Sequence, residues 1–168
     1  MPASPPPMIR LEGISKSFGT VQANRCITLD IHGGRVKALL GENGAGKSTL
    51  MSILAGRYQP DGGLIRVDGR ELRFTGAKDA IAAGIGMVYQ HFMLVPAMSV
   101  AENVFLGQAR GFWHSPHALE ARVQALAARF GLEIDPCVRV ADLSMGEKQR
   151  VEILKLLQSS VLLSSDFM

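Results

Sequence analysis

Between Gly41 and Thr49 the chain reads Gly-Glu-Asn-Gly-Ala-Gly-Lys-Ser-Thr, which fits the spacing G-x-x-x-x-G-K-[ST]. Glycines at Gly41, Gly44 and Gly46 let the backbone come close to a phosphate. Successive N–H groups of Glu42, Asn43, Ala45 and Lys47 turned inward, together with the positive end of a helix starting near Lys47, would hold a di- or triphosphate largely by the main chain. Lys47 then reaches the β- and γ-phosphates. Ser48 offers its hydroxyl to Mg²⁺, a hard cation that keeps some waters and takes its other oxygens from the nucleotide, and Thr49 closes the motif. A glycine-rich turn that merely joins a strand to a helix has a similar composition, so the elements on either side decide between the two readings.

Those elements are of the required kind. Val36-Lys37-Ala38-Leu39-Leu40 runs into the loop as a strand would, and Ser48 to Ala55 carries Leu50, Ile53 and Leu54 at helical spacing. Upstream, Ile9, Leu11 and Ile14, then Ile27, Leu29 and Ile31, alternate with polar residues and are separated by Gly19, Thr20 and Asn24, which predicts an antiparallel N-terminal β layer. Leu64 to Leu72 reads as a hairpin turning at Asp68-Gly69. Thr75 is placed to cap a short helix over Lys78 to Ala83. Ile85-Gly86-Met87-Val88-Tyr89 suits a buried parallel strand with Gln90 at its end. From His91 onward the pattern is helical, with segments near Val100 to Leu106 and His117 to Phe130. The expected class is α/β.

Composition narrows the setting. With 168 residues, 47% of them hydrophobic, there is material for one compact domain with a core. The net charge of +3 is scattered and makes no nucleic-acid stripe. Cys26 and Cys137 have no CxxC pairing and read as small core residues in a reducing compartment. Met1 to Pro7 is Pro-rich and reads as a disordered terminus, and no stretch approaches the roughly 18 apolar residues of a membrane-spanning helix.

About a hundred residues after the loop stands Leu143-Ser144-Met145-Gly146-Glu147-Lys148-Gln149-Arg150, which resembles the signature motif of ABC (ATP-binding cassette) ATPases. Gln90, following its strand, resembles their Q-loop glutamine, which contacts water and Mg²⁺. Ser144 and Gly146 match the family pattern, whereas Met145 stands where most members have glycine and Glu147 where most have glutamine. Ser144 with Glu147 is equally a capping box for the helix carrying Val151, Leu154 and Leu157, and both readings hold together. In the family the signature of one subunit faces the ATP of its dimer mate. Phe18, at the end of the first strand, lies where the family places an aromatic against adenine; a buried core phenylalanine is the alternative.

The run from Tyr89 to Gly107, with Glu152-Ile153-Leu154-Lys155, looks like the importers of simple sugars and nucleosides, whose ATPase subunit usually holds two cassettes in tandem. The resemblance spans about residues 8 to 157. It implies a phosphate-loop NTPase (RecA-like) core over residues 8–168 with a helical subdomain at about 91–143, and ATP and Mg²⁺ as cofactors. Membrane permease subunits, a second cassette and, indirectly, a solute-binding protein are the implied partners. A location at the inner face of the cell membrane follows. His91, Phe92 and Met93 would open the lobe that meets the membrane subunit, or simply pack.

The chain departs from the family after Arg150. A second core strand ending in Asp-Glu, with the glutamate as general base, is expected there, and by family spacing those positions fall on Phe167 and Met168. Asp166 is one residue early and is preceded by Ser164 and Ser165. The resemblance therefore implies a cassette incomplete at its C-terminus, which would lack the centre of its parallel sheet and be prone to aggregate. Two functional readings follow: an importer ATPase, or an ATP-binding remnant without hydrolysis. A phosphate-loop kinase leaves Leu143 to Arg150 unaccounted for, and ABC proteins of repair or translation are disfavoured by the stretch from Gln90 to Gly107.

Overall fold

The computed structural model describes residues 7–89, 91–107 and 115–165, with side chains described as far as Gln158. The proline-rich start up to Pro6, Gln90, and Asp166, Phe167 and Met168 lie outside the described residues. The chain forms two compact units, Met1–Gly86 and Met87–Met168.

In the first unit, strands β1 (Ile9–Phe18), β2 (Val21–Ile31), β3 (Gly62–Val67) and β4 (Arg70–Leu72) make one antiparallel sheet in the order β2-β1-β3-β4. Turn chemistry sets its register. Phe18 pairs with Val21 across a two-residue turn that uses Gly19 at φ 58°, and Val67 pairs with Arg70 across Asp68-Gly69 with φ 48° and 77°. Two successive positive φ values are what a type I′ hairpin requires, so the Asp68-Gly69 turn is as the sequence predicts. Leu11 and Ile14 are both fully buried although three residues apart, a spacing that simple alternation would send to opposite faces. The pairing of β1 with β2 shifts register between them, around Gly13 at φ 62°; this irregularity restores both side chains to one face. That face packs on helix α1 (Lys47–Leu54) through Leu50, Ile53 and Leu54, with Ile65, Val67 and Phe74 completing the core.

Three expectations are corrected. Neither residues 36–40 nor residues 85–89 form a strand among the described residues. Val36 is 100% and Leu40 90% exposed, so among the described residues the apolar run before the loop has neither a ladder partner nor a covering layer. Apolar composition selects a buried strand only where lateral partners supply the ladder, and this run meets none. Helix α2 (Ala77–Ala82) is capped by Gly76, and Thr75 is not its cap: the Thr75 amide and hydroxyl both donate to Asp79 Oδ2 at 2.6 Å, so the helix starts one residue earlier. Cys26 and Cys137 are exposed and not core residues. Cys26 has φ 49° in β2 beside the register shift, a conformation that takes it out of the strand's alternation.

The second unit is helical: α3 (Val100–Phe105), α4 (Pro116–Arg129) and α5 (Met145–Ser165), with a one-turn 3-10 helix at Val140–Asp142. Ser99 caps α3 in a reciprocal box with Glu102, and Ser115 caps α4 with Pro116 in the first turn, where its missing N–H costs nothing. The inward faces meet in a core of Val100, Val104, Val123, Val140, Val151 and Leu154. The helical segments expected near Val100 to Leu106 and His117 to Phe130 are α3 and α4, each within a residue of its ends, while residues 91–99 that open the helical pattern are not themselves helical. The serines after Lys155 do not break the helix, which is continuous to Ser165.

Candidate functional site

The glycine-rich loop turns tightly before α1. Ala45 N–H donates to the Glu42 carbonyl at 3.2 Å, and Gly44 and Gly46 take φ 86° and 80°. Gly46 is the residue preceding the helix and has no side chain to cap it, so the first N–H groups of α1 are left for a ligand to satisfy. Gly41 to Ala45 and Ser48 are exposed, and Gly46, Lys47 and Thr49 are half-buried. The Lys47 ammonium folds back onto the loop, donating to the carbonyls of Gly41 and Glu42 at 2.6 Å each. Among the described residues the Lys47 ammonium meets two neutral carbonyls and α1 opens on N–H groups without a side-chain cap, an arrangement that suits anionic oxygens. The donor set fits a polyphosphate, and the exposed Ser48 hydroxyl fits the metal position.

Two side chains outside the motif shape this region. Asn24, a turn residue on the sequence pattern, instead lies within β2, is 5% exposed, and donates from Nδ2 to the Gly46 carbonyl at 3.2 Å. Tyr58 meets Phe18 edge-to-face, with ring centroids 5.2 Å apart and planes at 72°. Neither was read as functional from the sequence: Asn24 carries only a turn-former's signal, and Tyr58 sits in a loop with no pattern. Phe18 itself is 42% exposed, with the Lys16 ammonium 5.6 Å from its ring centre, and so is not the buried core residue of the alternative reading. It pairs with Val21, three residues along β2 from Asn24, or about 10 Å at strand spacing.

Asp61 ties the loop after α1 to β1. Its carboxylate accepts from Lys16 Nζ at 2.6 Å and from Ser17 N–H at 2.7 Å, and these bonds, the lysine first, hold its carboxyl below the usual 3.8. Hydrogen bonds from Thr75 depress Asp79 likewise, and those from Ser144 depress Glu147 below 4.5. A carboxylate whose folded value lies below its unfolded value stabilises the fold above the unfolded value and loses that contribution as pH falls through the folded one. Thermal stability is therefore expected to hold from neutral pH to about 5 and to fall below about 4. The difference in Tm between the wild type and Asp61→Asn should shrink over that acid range; a difference constant from pH 7 to 3 would refute the assignment.

In the second unit, Ser144 and Glu147 form the predicted capping box. Glu147 Oε2 accepts from the Ser144 amide at 2.8 Å and from its hydroxyl at 2.6 Å, while Glu147 N–H donates to Ser144 Oγ at 3.4 Å. Met145 is 71% exposed at the first turn of α5 and Gly146 has open space around it, so the cap presents an accessible face. Further along α5, Glu152 (5% exposed) accepts from Met93 N–H at 2.8 Å and Lys155 donates to the Met93 carbonyl at 2.7 Å. Met93 thus has its backbone clamped and its side chain 66% exposed; His91 is exposed and Phe92 half-buried, so packing accounts for Phe92 alone.

The fold is that of a phosphate-loop NTPase. The chain belongs to the ABC transporter family, whose model matches residues 25–164. It is 44% identical to the glucose import ATP-binding protein TsgD13 of Haloferax volcanii over 92% of this chain and 34% of the relative. It is 46% identical to the ribose import ATP-binding protein RbsA 1 of Streptomyces avermitilis over 89% of this chain and 29% of the relative. With the arabinose import ATP-binding protein AraG 1 of Burkholderia cenocepacia it shares 43% identity over 89% of this chain and 30% of the relative. The chain therefore spans about a third of the length of the curated relatives it matches. Among solved structures it resembles cbiO1 of Clostridium perfringens, part of the ABC transporter complex cbiONQ, with a TM-score of 0.74, 29% identity and coverage of 92% of this chain and 62% of that one. The dimeric bacterial ABC transporter cassette MJ0796 gives 0.70 at 26% identity over 90% and 70%. No helix among the described residues is long and apolar enough to cross a membrane.

Proposed function

We propose that this chain binds Mg-ATP through Gly41 to Thr49 and forms part of the ATP-binding subunit of an importer for a simple sugar or nucleoside. The observation that carries the reading is the Lys47 ammonium resting on the Gly41 and Glu42 carbonyls at the open N-terminus of α1. Main-chain N–H groups and Lys47 bind the phosphates, Ser48 with Gln90 holds the metal, and Phe18 presents an aromatic face to the base. Ser144 to Glu147 offers its helix terminus to the nucleotide of a second cassette. Bound Mg²⁺ screens the phosphate charge; the residues of this chain bind and orient. The sugar import relatives support the transport assignment, and permease subunits, a second cassette and attachment at the inner membrane face follow from it.

Titration calorimetry with Mg-ATP tests the proposal. Wild-type chain is expected to bind, and Lys47→Ala to lose about a hundredfold or more in affinity, the size of a charge-assisted contact in a preorganised site. Equal affinity in the two proteins would sink the nucleotide reading. Phosphate release measured alongside separates binding from turnover: Lys47-dependent release identifies an ATPase, and binding without release identifies a nucleotide-binding element alone.

A further inference from the structure

We propose that Asn24 is a positioning residue of the nucleotide site, orienting from strand β2 the peptide group that opens helix α1. This inference rests on the nucleotide-binding reading above.

The Gly46 carbonyl has two donors, the Leu50 amide at 2.9 Å and Asn24 Nδ2 at 3.2 Å. The first is the opening hydrogen bond of the helix; the second comes from another element and uses the remaining lone pair. A carbonyl held from two directions cannot rotate about the peptide's flanking bonds. The Lys47 N–H belongs to the same planar group and points opposite to that carbonyl, away from Asn24. Pinning the oxygen therefore aims the amide that begins the helix, at the residue whose ammonium is to reach phosphate. The approach is close on the main-chain side as well, since Gly46 lies directly against the Ala23 carbonyl and a side chain there would not fit.

The second observation concerns the other end of the same amide. Asn24 is 5% exposed, and its Oδ1 is buried without a hydrogen-bond partner among the described residues. Exchanging the two amide atoms gives no relief, because it would set Oδ1 against the Gly46 oxygen. A buried acceptor left unpartnered opposes folding, and an apolar side chain at this strand position would avoid that opposition. The position therefore works against stability while serving the loop, as residues at functional sites do. Lys16, opposite Asn24 on β1, is engaged with Asp61 and supplies no partner to Oδ1.

The test compares wild type, Asn24→Leu, Asn24→Asp and Lys47→Ala in the full chain. Mg-ATP affinity is measured by calorimetry, and Tm is measured without nucleotide. Asn24→Leu is expected to weaken Mg-ATP binding by about tenfold, the size of one lost hydrogen bond, while its nucleotide-free Tm stays level or rises. Asn24→Asp, of the same shape but with an oxygen facing the Gly46 carbonyl, is expected to bind more weakly still; it carries the test should the leucine variant fail to fold. Wild-type affinity in both variants overturns the proposal. So does an affinity loss that merely follows a matching fall in Tm, which would make Asn24 a packing residue. If wild type does not bind, or Lys47→Ala binds equally well, the nucleotide reading itself fails, and that outcome is distinct from either of the others.

Discussion

Gly46→Ala is expected to abolish measurable Mg-ATP binding and to lower the stability of the first unit by about 2–4 kcal/mol. Two effects add. The native φ of 80° lies in the left-handed region, where a Cβ costs about 1–2 kcal/mol against the following carbonyl. An added Cβ would also sit 2.1 Å from the Ala23 carbonyl oxygen and 2.7 Å from Asn24 Nδ2, and the first of these is backbone that cannot swing aside. Either β2 or the loop must move, and a moved loop no longer presents the helix N–H groups in one direction. Gly44 provides the control. It has φ 86° with nothing within 4 Å of an added Cβ, so Gly44→Ala should carry the conformational cost alone. Chemical denaturation followed by circular dichroism, with calorimetry for binding, checks both. Equal stability of the two variants would show that the approach of β2 to the loop does not matter.

The second large effect is expected at Asn103, which is 0% exposed in the core of the helical unit. Its Oδ1 accepts from Val95 N–H at 2.7 Å, and its Nδ2 donates to the carbonyls of Val95 and Ser99 at 3.0 Å each. The side chain supplies the Val95 N–H with its acceptor and adds a second donor to the Val95 and Ser99 carbonyls, which already accept from Met98 N–H and Asn103 N–H. Asn103→Ala leaves the Val95 N–H without its partner, leaves the Val95 and Ser99 carbonyls with one backbone donor each (Met98 N–H at 3.2 Å and Asn103 N–H at 3.0 Å), and opens a small cavity, for about 2–4 kcal/mol. Asn103→Leu fills the volume and leaves the Val95 N–H equally without its partner. If the loss is chiefly polar, urea midpoints for the two variants should fall together; a leucine variant close to wild type would assign the effect to packing.

These two residues also mark what could be read without coordinates. The phosphate loop, the Asp68-Gly69 hairpin, the antiparallel layer and the Ser144–Glu147 box were legible because each rests on local rules: glycine at positive φ, alternation, and a hydroxyl three residues before a carboxylate. Asn24 and Asn103 were not. Asparagine's ordinary signal is a turn, and only burial beside a strained or unpaired backbone turns that signal into a brace. The shift at Gly13 escaped because a three-residue spacing between Leu11 and Ile14 looks like imperfect alternation until a register can be drawn. The runs at 36–40 and 85–89 failed for the opposite reason. Their apolar residues satisfied the pattern for strands, the second of them a buried parallel one, but a ladder belongs to pairs of segments, and no window of one segment contains its partner. The cysteines were misplaced by a general tendency to burial that one positive φ at Cys26 and the exposed turn at Cys137 override.

The clamp on Met93 has a consequence for exchange with solvent. Its N–H is held by Glu152 and its C=O by Lys155, both on helix α5, while its side chain stands in water. An amide in such a segment would ordinarily trade its proton for deuterium within seconds. Here the trade has to wait until the buried Glu152 carboxylate on α5 lets go, so the Met93 amide becomes a clock for that contact. A deuterium label placed three residues after Gln90 would thus time the release of that segment from the helix that Ser144 and Glu147 cap.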